Sequence, residues 1–146
     1  MKLFISSIVL LSALMSPHLS AQYYTGQKVF SSKFPSEVKD YNQDTYILIE
    51  NSSTDIIVAV EDVISGHVIQ HAYITSKDSY KFEYIPVGTY VCKYMWTDTY
   101  GKKHFEKDDS SMTFKVDEYG GYVITLTEVE YGNLSKSGIS EDEFFN

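Results

Sequence analysis

Residues 81–96 constrain the fold most, because two runs of alternating polarity flank a proline-valine-glycine turn. In the second run, Tyr90 and Cys92 stand on one side of the chain. A period of two with aromatic and β-branched side chains is typical of a strand that buries one face. Pro86 fixes its own φ and lacks an N–H donor, and Gly88 can adopt a positive φ. The segment therefore predicts a β-hairpin near the centre of an all-β domain.

Seven runs of the chain have strand character and short, regular spacing. They are residues 46–50, 55–62, 67–74, 80–84, 90–96, 112–116 and 122–129. Paired glycines at Gly120 and Gly121 predict a hairpin between the last two runs, since glycine suits the positive φ of such turns. Regularly spaced short strands separated by turn residues are typical of a sandwich or barrel. The sequence therefore predicts an antiparallel, seven-stranded β-sandwich with irregular segments at both ends.

Alternation also predicts which side chains fill the interior of this sandwich. They are Ile47, Ile49, Ile57, Ala59, Ile69, Phe82, Tyr90, Cys92, Tyr94, Phe114, Ile124 and Leu126. Cys92 is the only cysteine, so the chain cannot form an internal disulfide and must be held together by its core. Its place in the alternating series favours burial over thiol chemistry.

The chain begins with the pattern of an export signal at residues 1–21. Lys2 supplies the positive start, residues 3–15 are apolar, and Ser20 and Ala21 are small enough for cleavage. The apolar run is shorter than the roughly 20 residues of a membrane-spanning helix. We therefore expect a secreted or periplasmic protein without membrane insertion after cleavage, although an uncleaved anchor is the alternative.

Three segments follow the signal: an irregular leader at 22–43, the sandwich at 44–131 and an acidic-aromatic tail at 132–146. We expect the leader to pack loosely against the domain. The tail has two interpretations. Ser140 and Glu143 match a capping box, so a helical turn could pack Phe144 on its own domain. Alternatively, the tail could dock on a partner by adding a strand to a sheet edge.

Charge argues against two classes of partner. Without residues 1–21 the chain keeps 11 lysines against 20 acidic residues, a net charge of −9, and it contains no arginine. Binding to phosphate needs a basic surface, and bidentate recognition of phosphate or guanine prefers arginine. We therefore expect neither nucleic acid nor an anionic membrane surface as partner, whereas a cationic partner is compatible with this charge.

Aromatic residues are frequent, with 13 Tyr, 8 Phe and 1 Trp in 146 residues. Tyrosine and tryptophan can contact an apolar partner and still form hydrogen bonds, which suits protein or sugar surfaces. The candidate binding residues are Tyr94, Trp96, Tyr100, His104, Phe144 and Phe145. A protein partner is the first expectation and a carbohydrate the second. The competing interpretation places these aromatics in the core and on sheet faces.

No motif for catalysis or cofactor binding is present. The chain lacks a Gly-x-Ser-x-Gly elbow and a phosphate-binding loop, so we expect no catalytic residue and no cofactor. His67 and His71 are about 13 Å apart if they lie on one strand, too far for one metal ion, so we expect two surface histidines and no metal. The alternative is a metal-binding module that uses His67, His71 or His104. A second alternative is a small carboxylate-dependent hydrolase or a carbohydrate-binding protein that uses residues 96–109, including Asp98 and Glu106.

The stretch from Tyr84 to Val91 resembles the I-P-x-G-x-Y-x-V hairpin of carboxypeptidase regulatory-like and transthyretin-like domains. The likeness covers about residues 55–96, including the Ser65-Gly66 turn. It implies an Ig-like or transthyretin-like sandwich of seven strands, a fold that commonly serves as an accessory, adhesive or scaffolding module. We therefore expect an exported, non-catalytic protein-interaction module in the bacterial envelope or outside the cell.

Overall fold

A computed structural model of the chain describes residues 22–126 and 136–146. Its elements in those ranges are β1 (Asp44–Asn51), β2 (Ile56–Asp62), β3 (Val68–Ile74), β4 (Asp78–Glu83), β5 (Gly88–Thr97), β6 (Lys103–Asp108), a short 3-10 helix (Ser110–Met112), β7 (Phe114–Val116), β8 (Tyr119–Leu126), β9 (Lys136–Gly138) and α1 (Glu141–Phe145). The signal peptide expected at residues 1–21 lies outside the described residues. Among the described helices, none has the length and apolarity needed to cross a membrane.

The strands form two sheets that pack against each other as a β-sandwich, which confirms the predicted fold class. One sheet has the order β4-β1-β8. The other has the order β3-β2-β5-β6-β9, and β7 pairs with a further part of β5. One pair departs from the antiparallel expectation, since β1 and β8 run parallel. Two strands were not predicted: β6 lies in a charged stretch without clear alternation, and β9 lies in the tail.

Residues 81–96 do not form the predicted hairpin. β4 pairs with β1 in the three-stranded sheet, whereas β5 pairs with β2 in the larger one. The chain crosses between the sheets after Tyr84, which has a φ of 58°. The hydroxyl of Tyr90 donates a 2.7 Å hydrogen bond to the carbonyl of Pro86. A Cβ on Gly88 would lie 2.9 Å from that hydroxyl, so the Pro-x-Gly-x-Tyr motif builds a tyrosine corner between sheets.

The predicted hairpin at Gly120 and Gly121 is also wrong. Both glycines lie inside β8, which pairs with β1, while β7 pairs with β5 in the other sheet. A Cβ on Gly121 would lie 2.5 Å from the ring of Tyr46 on the neighbouring strand. This glycine therefore permits close packing between two strands.

The space between the two sheets holds the larger apolar cluster, which we call the inner core. Nine of the predicted core residues lie in it: Ile47, Ile49, Ile69, Phe82, Tyr90, Cys92, Tyr94, Phe114 and Leu126. Ile124 is partly exposed and packs against it, whereas Ile57 and Ala59 are buried on the other face of the sheet. Alternation along the strands therefore predicted this cluster well, and the free Cys92 is buried in it as expected.

A second apolar cluster covers the outer face of the larger sheet, and we call it the outer core. It consists of Val29, Phe34, Ile57, Ala59, Val68, Met95, Phe144 and Phe145. The leader supplies the first two residues and α1 the last two. The leader also forms backbone hydrogen bonds with β3, from the Gly26 amide to the Tyr73 carbonyl and from the Val38 amide to the Ile69 carbonyl. It therefore packs more closely than predicted.

The tail packs on its own domain, as the capping-box interpretation predicted. The Ser140 side chain accepts a 3.1 Å hydrogen bond from the Glu143 amide, and Phe144 is fully buried. A buried lysine fastens the helix to the sheet. The ammonium of Lys93 lies 2.5 Å from a Glu61 carboxylate oxygen and donates to the Glu143 carbonyl. Because this buried charge is paired and hydrogen-bonded, removing one partner should be costly.

Candidate functional site

Three neighbouring strands of the larger sheet have one of their ends at the same rim of the sandwich. β2 begins at Ile56, which pairs with Trp96 of β5, and β6 begins at Lys103. Asp55 precedes the first of these strands and Asp98 follows the second. The register therefore brings two carboxylates and one ammonium to the same edge. Residues 96–109 are accordingly a tight hairpin between β5 and β6, with its turn at 98–101, and not one long loop.

A groove of about 410 Å³ opens at this edge, and we call it the aromatic groove. Its lining consists of Tyr23, Phe30, Thr54, Asp55, Ile56, Ile57, Tyr73, Met95, Trp96, Thr97, Asp98 and Lys103. The leader contributes the first two side chains, and the ends of strands contribute most of the others. Aromatic rings beside two carboxylates form a surface suited to ligand recognition. The rings provide contact area, and the carboxylates accept hydrogen bonds in defined directions.

Asp98 is held in place by the turn that follows β5. One of its carboxylate oxygens accepts hydrogen bonds from the Tyr100 and Lys102 amides, both at 2.9 Å. The other lies 2.9 Å from Nε2 of His104. The hydrogen bond from His104, followed by that from the Lys102 amide, lowers the pKa of Asp98. Asp98 is therefore a fixed anion at neutral pH.

The second carboxylate, that of Asp55, is also fixed by two hydrogen bonds. One oxygen accepts from the Tyr73 hydroxyl at 2.7 Å and the other from the Ser76 amide at 2.8 Å. Burial, followed by the bond to Asp55, raises the pKa of Tyr73, so its hydroxyl stays protonated and donates. Both carboxylates are therefore oriented before any ligand arrives.

The aromatic walls are partly exposed and contact one another. Tyr23 meets Tyr73 edge to face, with ring centroids 5.3 Å apart, and is 36% exposed. The Lys103 ammonium lies 5.4 Å from the centroid of Phe30, within the range of a cation–π contact. Trp96 stacks on His104 with centroids 4.1 Å apart and an interplanar angle of 10°. The groove is therefore largely formed before a ligand binds.

A wider depression of about 650 Å³ lies between the leader and α1. Lys33, Phe34, Glu141 and Phe145 contribute to its lining, and the Lys33 ammonium pairs with Glu141 at 3.1 Å. Its two aromatic rings are already buried in the outer core. The depression is therefore a seam between packed chain segments, and we favour the aromatic groove as the functional site.

Two of the six predicted binding residues, Trp96 and His104, come together beside the aromatic groove. Tyr94 does not join them, because its side chain points into the inner core. Its hydroxyl donates a 2.7 Å hydrogen bond to Asp108, which is itself buried. Burial raises the pKa of both Tyr94 and Asp108, so the pair is a structural hydrogen bond inside the sandwich.

The other three predicted binding residues lie apart from the groove lining. Tyr100 is 95% exposed on the turn between β5 and β6, where its amide donates to the Asp98 carboxylate. Phe144 and Phe145 are buried in the outer core, where Phe34 packs against both rings. We therefore do not retain these two phenylalanines as contacts for a partner.

The histidines do not assemble into a metal site in the part of the chain that the structure describes. No group of three or more metal-ligating side chains occurs in those residues. The prediction that both His67 and His71 lie on the surface is wrong for His71. Phe34 of the leader stacks on its ring at 3.9 Å and covers it, and neither ring nitrogen has a hydrogen-bond partner among the described atoms. Burial, followed by the nearby charge of Lys28, lowers the pKa of His71 to about 4.

For the hydrolase alternative, the described residues provide the pair of Asp98 and His104 but no nucleophile beside it. Asp98 and His104 are hydrogen-bonded, as in the orienting half of a catalytic triad. Among the described residues, no hydroxyl or thiol is hydrogen-bonded to His104. Glu106 pairs instead with Lys136 at 3.9 Å. This arrangement positions Asp98 and stacks Trp96, and it gives no support to hydrolysis.

Sequence reasoning missed several residues that line the groove, above all Tyr23, Phe30 and Tyr73. One signal was available, since the leader is polar and irregular yet rich in aromatic side chains. Such residues need a surface to cover, because exposed rings are unfavourable in water. Asp55 and Lys103 gave no signal, because each is an ordinary charged residue at the start of a strand.

Comparisons of the chain with protein-family models, with curated proteins and with solved structures each give no significant match.

Proposed function

We propose that the chain is an exported, non-catalytic β-sandwich that binds another protein through the aromatic groove. The observation that carries this proposal is a groove whose aromatic walls are partly exposed and whose two carboxylates are already oriented by hydrogen bonds. Preorganised side chains lose little entropy on binding, so they favour recognition. Secretion or a periplasmic location rests on residues 1–21 of the sequence.

Protein is the favoured class of partner because of the chemistry of the walls. Tyrosine and tryptophan are enriched in protein interfaces, where buried aromatic anchors supply most of the binding energy. The groove combines Tyr23, Tyr73 and Trp96 with the flexible side chain of Met95. Methionine adapts its shape to the surface that it contacts. These side chains suit an apolar side chain of a partner with polar groups beside it.

We also propose that the sandwich is of the carboxypeptidase regulatory-like or transthyretin-like type. The motif that carries the resemblance has a structural role, since Pro86, Gly88 and Tyr90 build the corner between the two sheets. Such sandwiches commonly serve as accessory modules, which agrees with a binding role.

Site-specific photocrosslinking in the native source tests the proposal. A benzophenone amino acid in place of Tyr23 reports on the groove, and the same replacement of Tyr119, 84% exposed and outside the groove, is the control. We expect a protein adduct from the first position only. The captured protein, once purified, should bind Tyr23→Ala at least about fivefold more weakly than Tyr119→Ala in calorimetry. Equal crosslinking at both positions, or equal affinities, would contradict the proposal.

Carbohydrate is the second candidate, and one observation favours it. Trp96 lies flat on His104 beside the fixed carboxylate of Asp98. Aromatic faces pack on the apolar faces of sugar rings, and carboxylates accept hydrogen bonds from hydroxyl groups. A glycan array probed with the purified chain distinguishes the two candidates. Binding to a defined glycan that Trp96→Ala abolishes would favour carbohydrate over protein.

A further inference from the structure

We infer that the partner segment seated in the aromatic groove presents a lysine or arginine side chain, with the cationic head at Asp55 and Asp98 and the stem along the rings. This inference rests on the proposed function, because it names the chemistry of the partner at the same site. Three observations lead to it: the local charge, the arrangement of the rings, and a lysine of the chain itself that already occupies part of the groove.

The local charge favours a cation. Two carboxylates and one ammonium line the groove, so its net charge is negative, and the whole chain carries −8. The hydrogen bonds to Asp55 and Asp98 orient both carboxylates and leave lone pairs for a further donor, since an ionised carboxylate offers about four acceptor sites. A charged donor to an oriented carboxylate makes a short, strong hydrogen bond.

The rings favour a cation on an apolar stem over a bare ion. Phe30 and Tyr73, with Tyr23 against Tyr73, line the groove from the outer-core side, and Trp96 lines it from the inner-core side. Aromatic faces attract ammonium and guanidinium groups. Met95 and Ile57 provide apolar surface for methylene groups, which lysine and arginine carry behind their charged heads. A metal ion needs more ligands than two carboxylates, and no third metal-ligating side chain joins them among the described residues.

The chain itself contains a lysine in this position. The Lys103 ammonium lies 5.4 Å from the Phe30 centroid and lines the same groove. An ammonium over a ring is therefore a contact that the groove already accommodates. A second cation from a partner would be attracted by the two carboxylates of Asp55 and Asp98, which outnumber the single ammonium of Lys103 in the lining.

A titration followed by ¹⁵N-NMR tests the inference with two blocked pentapeptides. One has the sequence glycine-leucine-lysine-phenylalanine-glycine, and the other carries norleucine in place of lysine, which keeps the stem and removes the charge. We expect the lysine peptide to shift the Trp96 indole and Lys103 amide resonances and to bind at least about fivefold more tightly than the norleucine peptide. A higher salt concentration should lower the affinity for the lysine peptide only, because salt screens the attraction between charges.

Isosteric variants assign the effect to the two carboxylates. Asp55→Asn and Asp98→Asn keep an oxygen to accept from the Ser76 and Tyr100 amides, so the turns are preserved. Each variant should bind the lysine peptide at least about threefold more weakly than the wild type does and should bind the norleucine peptide with unchanged affinity. Glu118→Gln, an exposed change of the same charge outside the groove, is the matched control and should have no effect. Thermal unfolding of each variant checks that the fold is intact.

The outcomes separate this inference from the proposed function. If both peptides bind in the groove with equal affinity, the inference of a cationic side chain is wrong, and the protein-binding proposal is unaffected. Binding of neither peptide, or shifts confined to other surfaces, also overturns the inference. Cadaverine binding as tightly as the lysine peptide would show that the site takes a small organic cation instead of a protein segment. Tight lysine-peptide binding with no position-specific crosslink in the native source would retain the site chemistry and contradict the proposed partner.

Discussion

The two apolar clusters of the molecule are built in different ways. The inner core is formed by the alternating side chains of strands that face one another across the sandwich. The outer core is formed where the leader and α1 close over the larger sheet, and it includes the buried ion pair of Lys93 and Glu61 and the unpartnered ring of His71 nearby. The first cluster is mostly apolar, and its tyrosine hydroxyls are hydrogen-bonded to Pro86 and Asp108, whereas the second depends on polar groups that water and protons can reach after a local opening.

This difference predicts that the inner core determines the free energy of global unfolding. The outer core should determine how easily the leader and α1 detach locally from the larger sheet. Phe82 and Phe144 allow a matched test, because both are phenylalanines with no exposed surface. Phe82→Ala should lower the free energy of unfolding by about 3–5 kcal/mol, because the sheets cannot separate locally to relieve the cavity. Denaturation by urea measures the change. A loss below about 1 kcal/mol would contradict the central role of the inner core.

The buried ion pair should show the next largest effect. Lys93→Met leaves Glu61 buried with Lys107 alone, 2.7 Å away, and removes the donor to the Glu143 carbonyl. We expect a loss of about 3 kcal/mol, which an added Glu61→Gln should restore in part, because the loss combines a buried carboxylate with one partner fewer and a Glu143 carbonyl without its donor. Lys115→Met is the control, since its ion pair with Asp117 is exposed and should contribute below about 1 kcal/mol.

His71 should make the free energy of unfolding depend on pH. Its pKa is about 4 in the folded chain against an ordinary value of 6.5, so the unfolded chain binds the extra proton first. Stability should therefore be full above pH 6.5 and fall as the pH drops towards 4, by about 3 kcal/mol in all. The facing charges are the Lys28 ammonium, which opposes protonation, and the Glu37 carboxylate, which favours it.

Urea denaturation at pH 7 and pH 5 measures this dependence, and the comparison of two histidine variants assigns it. His71→Gln should flatten the stability profile between these pH values, whereas His67→Gln, at an exposed site, should leave it unchanged. Equal profiles for the wild type and His71→Gln would show that His71 does not couple the outer core to protons.

The smallest effect is expected for Phe144→Ala, although its side chain is as buried as that of Phe82. The tail can detach without separating the sheets, so the cost should be limited to about 2 kcal/mol. Hydrogen exchange should accelerate at least about tenfold at the amides of Val68 and Ile139, which bond to Asn146 and Phe105. The Cys92 amide, in the centre of the larger sheet, should exchange as in the wild type. Acceleration at all three positions would mean that the two clusters unfold together.

Sequence alone predicted the inner core because alternation is a local property of each strand. It did not predict which strands pair, since a proline and a glycine serve a hairpin turn and a corner between sheets equally well. At Gly88 the deciding contact is the ring of Tyr90, and at Gly121 it is the ring of Tyr46 on another strand. Contacts of this kind depend on the whole fold.

The candidate site was only half predictable for the same reason. Trp96 and His104 are neighbours in the β5–β6 hairpin, so their proximity follows from local sequence. Tyr23 and Phe30 come from an irregular leader that no periodicity places on the sheet. Long-range contacts bring them to the groove, namely the hydrogen bonds between the leader and β3 and the packing of Val29 and Phe34 in the outer core.

The position of α1 after all the strands that the structure describes has a consequence for synthesis. Phe144 and Phe145 complete the outer core, so that face of the larger sheet stays uncovered while the ribosome is still making the tail. During that interval Val29, Phe34 and Met95 are open to chaperones and to aggregation. A chain truncated before α1 would therefore leave an apolar face of the larger sheet exposed to water.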